Sequence, residues 1–168
     1  MKTALAALAF AACALAQMPS TVAQPACGPN PNRVGLKVRL VKSEHTMTHP
    51  APGKATVYFI HDANAPTTVG YPTTMIGIDG AWVGANKSSY FAVSVEPGEH
   101  HVCADFKYGM ANGVEYAHFT AEAGKVYYFQ TCLVESQQEM ILGLHRVDSD
   151  EAASLVASLP LSVSTPKN

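Results

Sequence analysis

The sequence has 168 residues and a formal net charge of −2, and charged side chains make up only 14% of it. It contains no run of Lys and Arg, so a nucleic-acid-binding role lacks the positive surface that such binding needs. The length suits one domain with a single hydrophobic core.

The N-terminal segment predicts a secretory signal peptide over residues 1–16. Lys2 precedes an apolar run that ends in Ala14-Leu15-Ala16, the small-x-small pattern of a cleavage site. The run is shorter than the roughly 20 apolar residues of a transmembrane helix. We therefore expect export to the periplasm, the cell envelope or the medium, with no transmembrane segment.

The same segment offers a second processing route. Phe10-Ala11-Ala12-Cys13 resembles a bacterial lipobox, with Phe10 where that signal usually has Leu. Lipidation of Cys13 would leave a lipid-anchored protein, whereas cleavage after Ala16 removes Cys13 from the mature chain. We expect ordinary cleavage, and the lipoprotein is the alternative.

The rest of the chain alternates short apolar runs with turn residues. Residues 17–32 predict a flexible linker, residues 33–161 a domain and residues 162–168 a tail. Between turns such as Asp79-Gly80, Pro97-Gly98 and Ala123-Gly124, strands are predicted over residues 34–41, 54–61, 73–78, 89–95, 99–107, 114–121, 125–134 and 140–147. The expected fold is mainly β, a single antiparallel β-sandwich-like domain.

One C-terminal helix completes the predicted domain. Asp148 is placed to cap it, and Glu151 follows three residues later in capping-box position. The apolar stripe at helical spacing consists of Ala152, Leu155, Val156 and Leu159, and Pro160 ends the helix. We expect this stripe to pack against the sheet.

The strand from Glu99 to Lys107 carries the residues best suited to chemistry. Because strand side chains alternate, Glu99, His101, Cys103 and Asp105 share one face, opposite an apolar face that includes His100. His101, Cys103 and Asp105 are residue types that bind zinc or copper, with His118 or His145 available as a further ligand. The competing interpretation is a solvated face, with Cys103 in a disulfide and His100 hydrogen-bonded in the core.

The cysteines leave the pairing open. Cleavage after Ala16 retains Cys27, Cys103 and Cys132, an odd number, so at most one intramolecular disulfide forms. Cys103 and Cys132 both point away from the predicted core and could pair if their strands are neighbours. Alternatively, the linker could bring Cys27 to Cys103.

Trp82, two residues after the Asp79-Gly80 turn, admits two roles. An exposed ring there could bind a sugar or a peptide. We expect instead that it caps the end of the sandwich core, because a Trp side chain offers a large apolar area for burial.

Several segments together resemble an uncharacterised bacterial domain-of-unknown-function family, number 2846, found in exported and lipid-anchored envelope proteins. They are GKATVYFI, the stretch IGIDGAWVGANKSSYFAVSVEPGEHHVCADF, and FTAEAGKVYYF, with CGPN near the mature start. The resemblance runs from about Cys27 to Leu161 and implies a small antiparallel β fold in the envelope. It brings no catalytic residues, and it favours the pair Cys27–Cys103 over Cys103–Cys132.

The sequence lacks the motifs of the common catalytic sites. It has no G-x-S-x-G, H-E-x-x-H, P-loop or dinucleotide-binding pattern. We therefore expect a non-catalytic binding or structural module without a cofactor, whose envelope or cell-surface partner is not identified. The alternative is a metal-binding protein or metal-dependent enzyme that uses the His101/Cys103/Asp105 strand face.

Overall fold

The computed structural model describes residue 27 and residues 35–42, 47–62, 73–106, 114–135 and 140–167. The predicted signal peptide, Cys13 and the linker apart from Cys27 lie outside this part of the chain. Its elements, in chain order, are β1 (Leu36–Val41), β2 (Ala55–His61), β3 (Thr74–Ile78), β4 (Ala81–Asn86), β5 (Ser89–Val95), β6 (Gly98–Phe106), β7 (Glu115–Ala121), β8 (Val126–Glu135), β9 (Met140–Arg146), α1 (Ser149–Ser158) and β10 (Leu161–Pro166).

The strands form two sheets. One has six strands in the order β1-β10-β5-β2-β8-β9, and the other has four in the order β4-β3-β6-β7. The four-stranded sheet is antiparallel throughout, whereas the six-stranded sheet contains two parallel pairs, β2 with β8 and β10 with β5. This confirms a mainly β, sandwich-like domain with one helix, in which the larger sheet is mixed.

β2 is the central strand of the six-stranded sheet. All seven of its residues are buried, as its two apolar faces predict. Val57 and Phe59 belong to the core between the sheets, and Tyr58 and Ile60 belong to a second core under the helix.

The core between the sheets is built largely from aromatic rings. Phe59 packs against Phe91 and Phe129 with ring centroids 5.4 and 5.9 Å apart. Phe119 of the other sheet packs on Phe129 at 5.3 Å. Such rings bury a large apolar area, which is the main stabilising contribution of a sandwich core.

The helix covers the other face of the six-stranded sheet. Asp148 accepts hydrogen bonds from the backbone N–H groups of Asp150 and Glu151, as a capping residue should. Ala152 and Val156 are buried against Tyr58, and Leu159 lies in the same cluster. The predicted cap and stripe are confirmed, and the stripe packs against the sheet.

The end of the domain differs from the prediction. The sequence predicts a tail over residues 162–168, but Leu161–Pro166 form β10, which pairs with β1 along its whole length and meets β5 at Leu161 and Tyr90. The Ser162 hydroxyl also donates to the Ala85 carbonyl of β4, at 2.6 Å. The LSVSTP segment is short and has only two large apolar residues, Leu161 and Val163. Its pairing with β1 is therefore a long-range contact that the segment itself does not predict.

The turn between β3 and β4 has the expected hairpin geometry. Asp79 and Gly80 have φ values of 48° and 85°, so both central residues are left-handed, as a type I′ turn requires. Pro-Gly is typical of a type II turn, in which the glycine has φ near +80°. Gly98, after Pro97, has φ of 138° and departs from that geometry. The chain still reverses there, and β5 leads into β6.

Candidate functional site

Most of the sequence-predicted site residues lie on one surface, the outer face of the four-stranded sheet. Strand register places Trp82, Gly77, Cys103 and Tyr116 in one row across the four strands. His101 and His118 form a cross-strand pair beside that row. We call this surface the disulfide face, because Cys27 is bonded to Cys103 on it.

The disulfide lies at the middle of the sheet. Cys103 is fully buried, and its Cα atom lies 5.5 Å from that of Cys27. Cys132 belongs to β8 of the other sheet, is half-buried and is not bonded. The alternative pair Cys103–Cys132 is therefore not the pair in the structure, because the strands of these two residues are in different sheets.

The predicted metal set loses its central ligand. With its sulfur bonded to Cys27, Cys103 has no thiolate to offer a metal. Asp105 is half-buried on the same face, where desolvation raises the pKa of its carboxyl and a hydrogen bond with Phe106 opposes that rise. No group of three or more His, Cys, Asp or Glu in the described residues could hold a metal ion.

The two histidines considered as further ligands are in different places. His145 lies on β9 of the six-stranded sheet, and its Nε2 is 3.1 Å from Oε1 of Gln130. His118 lies directly opposite His101 on β7, and both side chains are exposed. The structure therefore brings His118, and not His145, to the disulfide face.

Trp82 is half-buried and lies on the outer face of its sheet. Gly77 and Cys103, its neighbours in the row, place it outside the inter-sheet core. The expectation that Trp82 caps that core is therefore wrong. Tyr116, at the other end of the row, is 64% exposed. The face thus carries an aromatic side chain on each side of the disulfide.

His100 is held by acceptors on both of its ring nitrogens. Nδ1–H donates to Oδ2 of Asp79 at 2.6 Å, and Nε2–H donates to the Glu96 carbonyl at 2.7 Å. The ring also stacks on Phe119 at 5.5 Å. Burial lowers the pKa of His100, but the two hydrogen bonds and the Asp79 charge outweigh it, so the pKa is raised. His100 is thus a hydrogen-bonded structural residue, as expected.

Asp79→Asn tests this assignment. Asn also adopts left-handed φ and suits the type I′ turn before Gly80, so the change removes the charge and preserves the hairpin. We expect the pKa of His100, followed by NMR titration of its ring protons, to fall relative to the wild type. A raised pKa in the folded state stabilises the protein below pH ~6.5, and that stabilisation is lost as the pH rises through the folded-state pKa. The variant should therefore lose stability at low pH relative to the wild type; an unchanged His100 titration would contradict the assignment.

At one end of the sandwich, the core changes from apolar to polar. We call this region the polar layer; its buried members are His61, Thr74, Asn86, Ser89 and Thr131. Strand register pairs His61 with Ser89 and Thr74 with Asn86. The Ser89 hydroxyl reaches Oδ1 of Asn86 at 3.4 Å, and the Asn86 amide donates to the Phe59 carbonyl at 3.1 Å.

His61 is the titratable member of the polar layer. Its Nδ1–H donates to the hydroxyl of Thr131 at 2.9 Å and to its carbonyl at 3.2 Å. That bonding assigns the neutral tautomer with an acceptor at Nε2. Within the described ranges, neither this nitrogen nor the Thr74 hydroxyl has a hydrogen-bond partner. Desolvation lowers the pKa of His61 to about 4, although the Thr131 carbonyl opposes the shift.

Sequence reasoning missed the polar layer. His61 is the last residue of the strand predicted over residues 54–61, and the other members come from four further strands. Within its own strand, none of these residues indicates that it belongs to a buried polar cluster. A weak signal was available, since a His at an inward-facing position after Val57 and Phe59 needs a buried hydrogen-bond partner.

Comparison with known proteins yields no relative to extend these observations. No family model, curated protein or solved structure matches the chain. In the described ranges, no helix has the length and apolar character to cross a membrane.

Proposed function

We propose that this chain is an exported bacterial envelope or extracellular module that acts as a binding or structural domain and not as a catalyst. The observation that carries the proposal is the disulfide between half-buried Cys27 and buried Cys103, at the middle of the four-stranded sheet. Structural disulfides form and persist in oxidising compartments and are rare in the cytosol. This agrees with the signal-peptide pattern of residues 1–16.

The environments of the perturbed histidines support a non-catalytic role. His61 is fully buried and therefore has no contact with solvent. His100 uses both ring nitrogens in structural hydrogen bonds. A general acid or base must exchange a proton with a bound substrate, and neither side chain is placed to do so in this conformation.

Membership of the bacterial family named above is part of the same proposal. The segments that carry the resemblance form much of β2–β6 and β7–β8, together with the hairpin turn at Asp79 and Gly80. Cleavage after Ala16 is the proposed processing route, and lipidation of Cys13 is the alternative.

Export can be tested with the full chain and a variant that lacks residues 2–16, both produced in a bacterial host. We expect the full chain in the periplasmic fraction, with the intact mass of a product that starts at Gln17. The truncated variant should remain in the cytoplasm with reduced cysteines. A lipid-modified mass starting at Cys13 would replace the first processing route with the second. Full-length, unprocessed protein in the cytoplasm would overturn the proposal.

A further inference from the structure

The two exposed histidines of the disulfide face lie directly opposite each other on neighbouring strands. His101 is on β6 and His118 is on β7, and they are register partners in an antiparallel pair. Directly opposed residues of such a pair have their side chains on the same face, with Cβ atoms about 4.5–5.5 Å apart.

The backbone bonds of His101 show which kind of pair this is. Its carbonyl accepts the Asp79 N–H at 3.0 Å, and its own N–H donates to Oδ1 of Asp79 at 2.9 Å. Both groups thus point towards the β3 side and away from β7. His101 and His118 therefore form a non-hydrogen-bonded pair, the type in which side chains approach most closely.

This spacing suits two imidazoles on one metal ion. Metal–imidazole bonds of about 2.0–2.1 Å place two nitrogens roughly 3 Å apart on the same ion. Two rings that start about 4.5–5.5 Å apart at Cβ can converge to that separation.

The surroundings of the pair favour a cation. Glu99 is exposed and lies two residues before His101 on the same face. Thr120 is the register partner of Glu99 on β7, so the residue directly opposite this carboxylate is uncharged. Backbone pairing along β6 and β7 fixes the relative positions of the two Cβ atoms.

We propose that His101 and His118 form a two-histidine site for a divalent transition metal of the Ni²⁺, Cu²⁺ and Zn²⁺ class. Imidazole ligands suit these ions, whereas Mg²⁺ and Ca²⁺ require oxygen ligands. Water completes the coordination on this exposed face. The site differs from the sequence-predicted set because it uses neither Cys103 nor Asp105, and it does not depend on export of the chain.

The test is isothermal titration of the untagged, oxidised mature chain with Ni²⁺ alone, which does not oxidise the free Cys132. We expect one ion per chain in the wild type. Removing a metal ligand costs at least as much affinity as removing an outer-shell partner, so His118→Ala and His101→Ala should each weaken binding by about 10- to 100-fold or more. His49→Ala, which removes an exposed imidazole elsewhere, should bind as the wild type does.

Two further measurements keep the result unambiguous. Thermal unfolding without metal should be nearly the same for His118→Ala and the wild type, because the side chain is exposed. Ca²⁺ in excess should leave Ni²⁺ binding unchanged. The proposal is overturned if the wild type binds no Ni²⁺, if His118→Ala binds like the wild type, or if Ca²⁺ displaces the ion.

Discussion

Cys27→Ser is expected to lower the free energy of unfolding of the oxidised protein by about 4 kcal/mol. The bond joins residues 76 positions apart, and a cross-link of that span removes much of the conformational freedom of the unfolded chain. It also holds Cys27 on the outer face of β6. Urea denaturation with and without a reducing agent measures the effect, and the reduced wild type should be about as unstable as the variant.

Cys132→Ser is the matched control for that experiment. Cys132 is half-buried on β8 and is not bonded, so its replacement should change stability by about 1 kcal/mol or less. The variant should keep its sensitivity to reducing agent, whereas Cys27→Ser should lose it. The opposite pattern, in which only Cys132→Ser is insensitive, would show that the assigned pairing is wrong.

Acidification should destabilise the protein through His61. Its pKa falls from 6.5 to about 4 on folding, so between these values the unfolded state binds the proton more strongly. A depressed histidine pKa therefore leaves stability intact above pH 6.5 and lowers it as the pH falls towards 4. The full shift corresponds to a loss of about 3 kcal/mol, at 1.36 kcal/mol for each pH unit.

His61→Gln isolates this contribution. The Gln amide can still donate to Thr131, but it does not titrate, so the variant should lose less stability than the wild type between pH 6.5 and 4. The variant is also expected to be less stable at neutral pH, because its shape differs in a packed layer. His49→Gln, at an exposed position, is the control and should follow the wild type. An identical pH dependence in His61→Gln and the wild type would contradict the assignment.

His61 and His100 change the stability of the protein on opposite sides of neutral pH. His61 becomes costly as the pH falls, and His100 loses its favourable charge as the pH rises. Stability should therefore be greatest between the two transitions. The D79N variant should flatten the alkaline side of this profile. On the acidic side its stability should lie below that of the wild type, with the same slope, because that slope depends on His61.

Local patterns made much of the fold predictable. The central position of β2 follows from a run that is apolar on both faces, and the hairpin at Asp79-Gly80 follows from residues that accept positive φ. The helix follows from the Asp148 cap and a stripe with helical spacing. In each case the signal lies within a few consecutive residues.

Features that depend on pairing between distant segments were not predictable in the same way. β10 has a weak pattern of its own and is stabilised by β1, more than a hundred positions earlier in the chain. The parallel pairing of β2 with β8 likewise leaves no local signal. These contacts are decided by the packing of the whole sandwich.

In the candidate site, too, features within one strand were predictable and features that depend on the pairing of strands were not. The predicted apolar face of β6 does face the core, where Val102, Ala104 and Phe106 lie, and His101 is exposed on the opposite face. It could not show that His118 is the direct partner of His101, because register is set across strands. Nor could it reveal the polar layer, whose members converge from five strands.

The central claim is that the exported, processed chain carries the Cys27–Cys103 disulfide, and non-reducing peptide mapping of the periplasmic protein tests it most directly. We predict a linked peptide pair that contains Cys27 and Cys103, an N-terminal peptide that starts at Gln17, and Cys132 recovered as a free thiol. A Cys103–Cys132 linked pair, or free thiols at both Cys27 and Cys103, would contradict it.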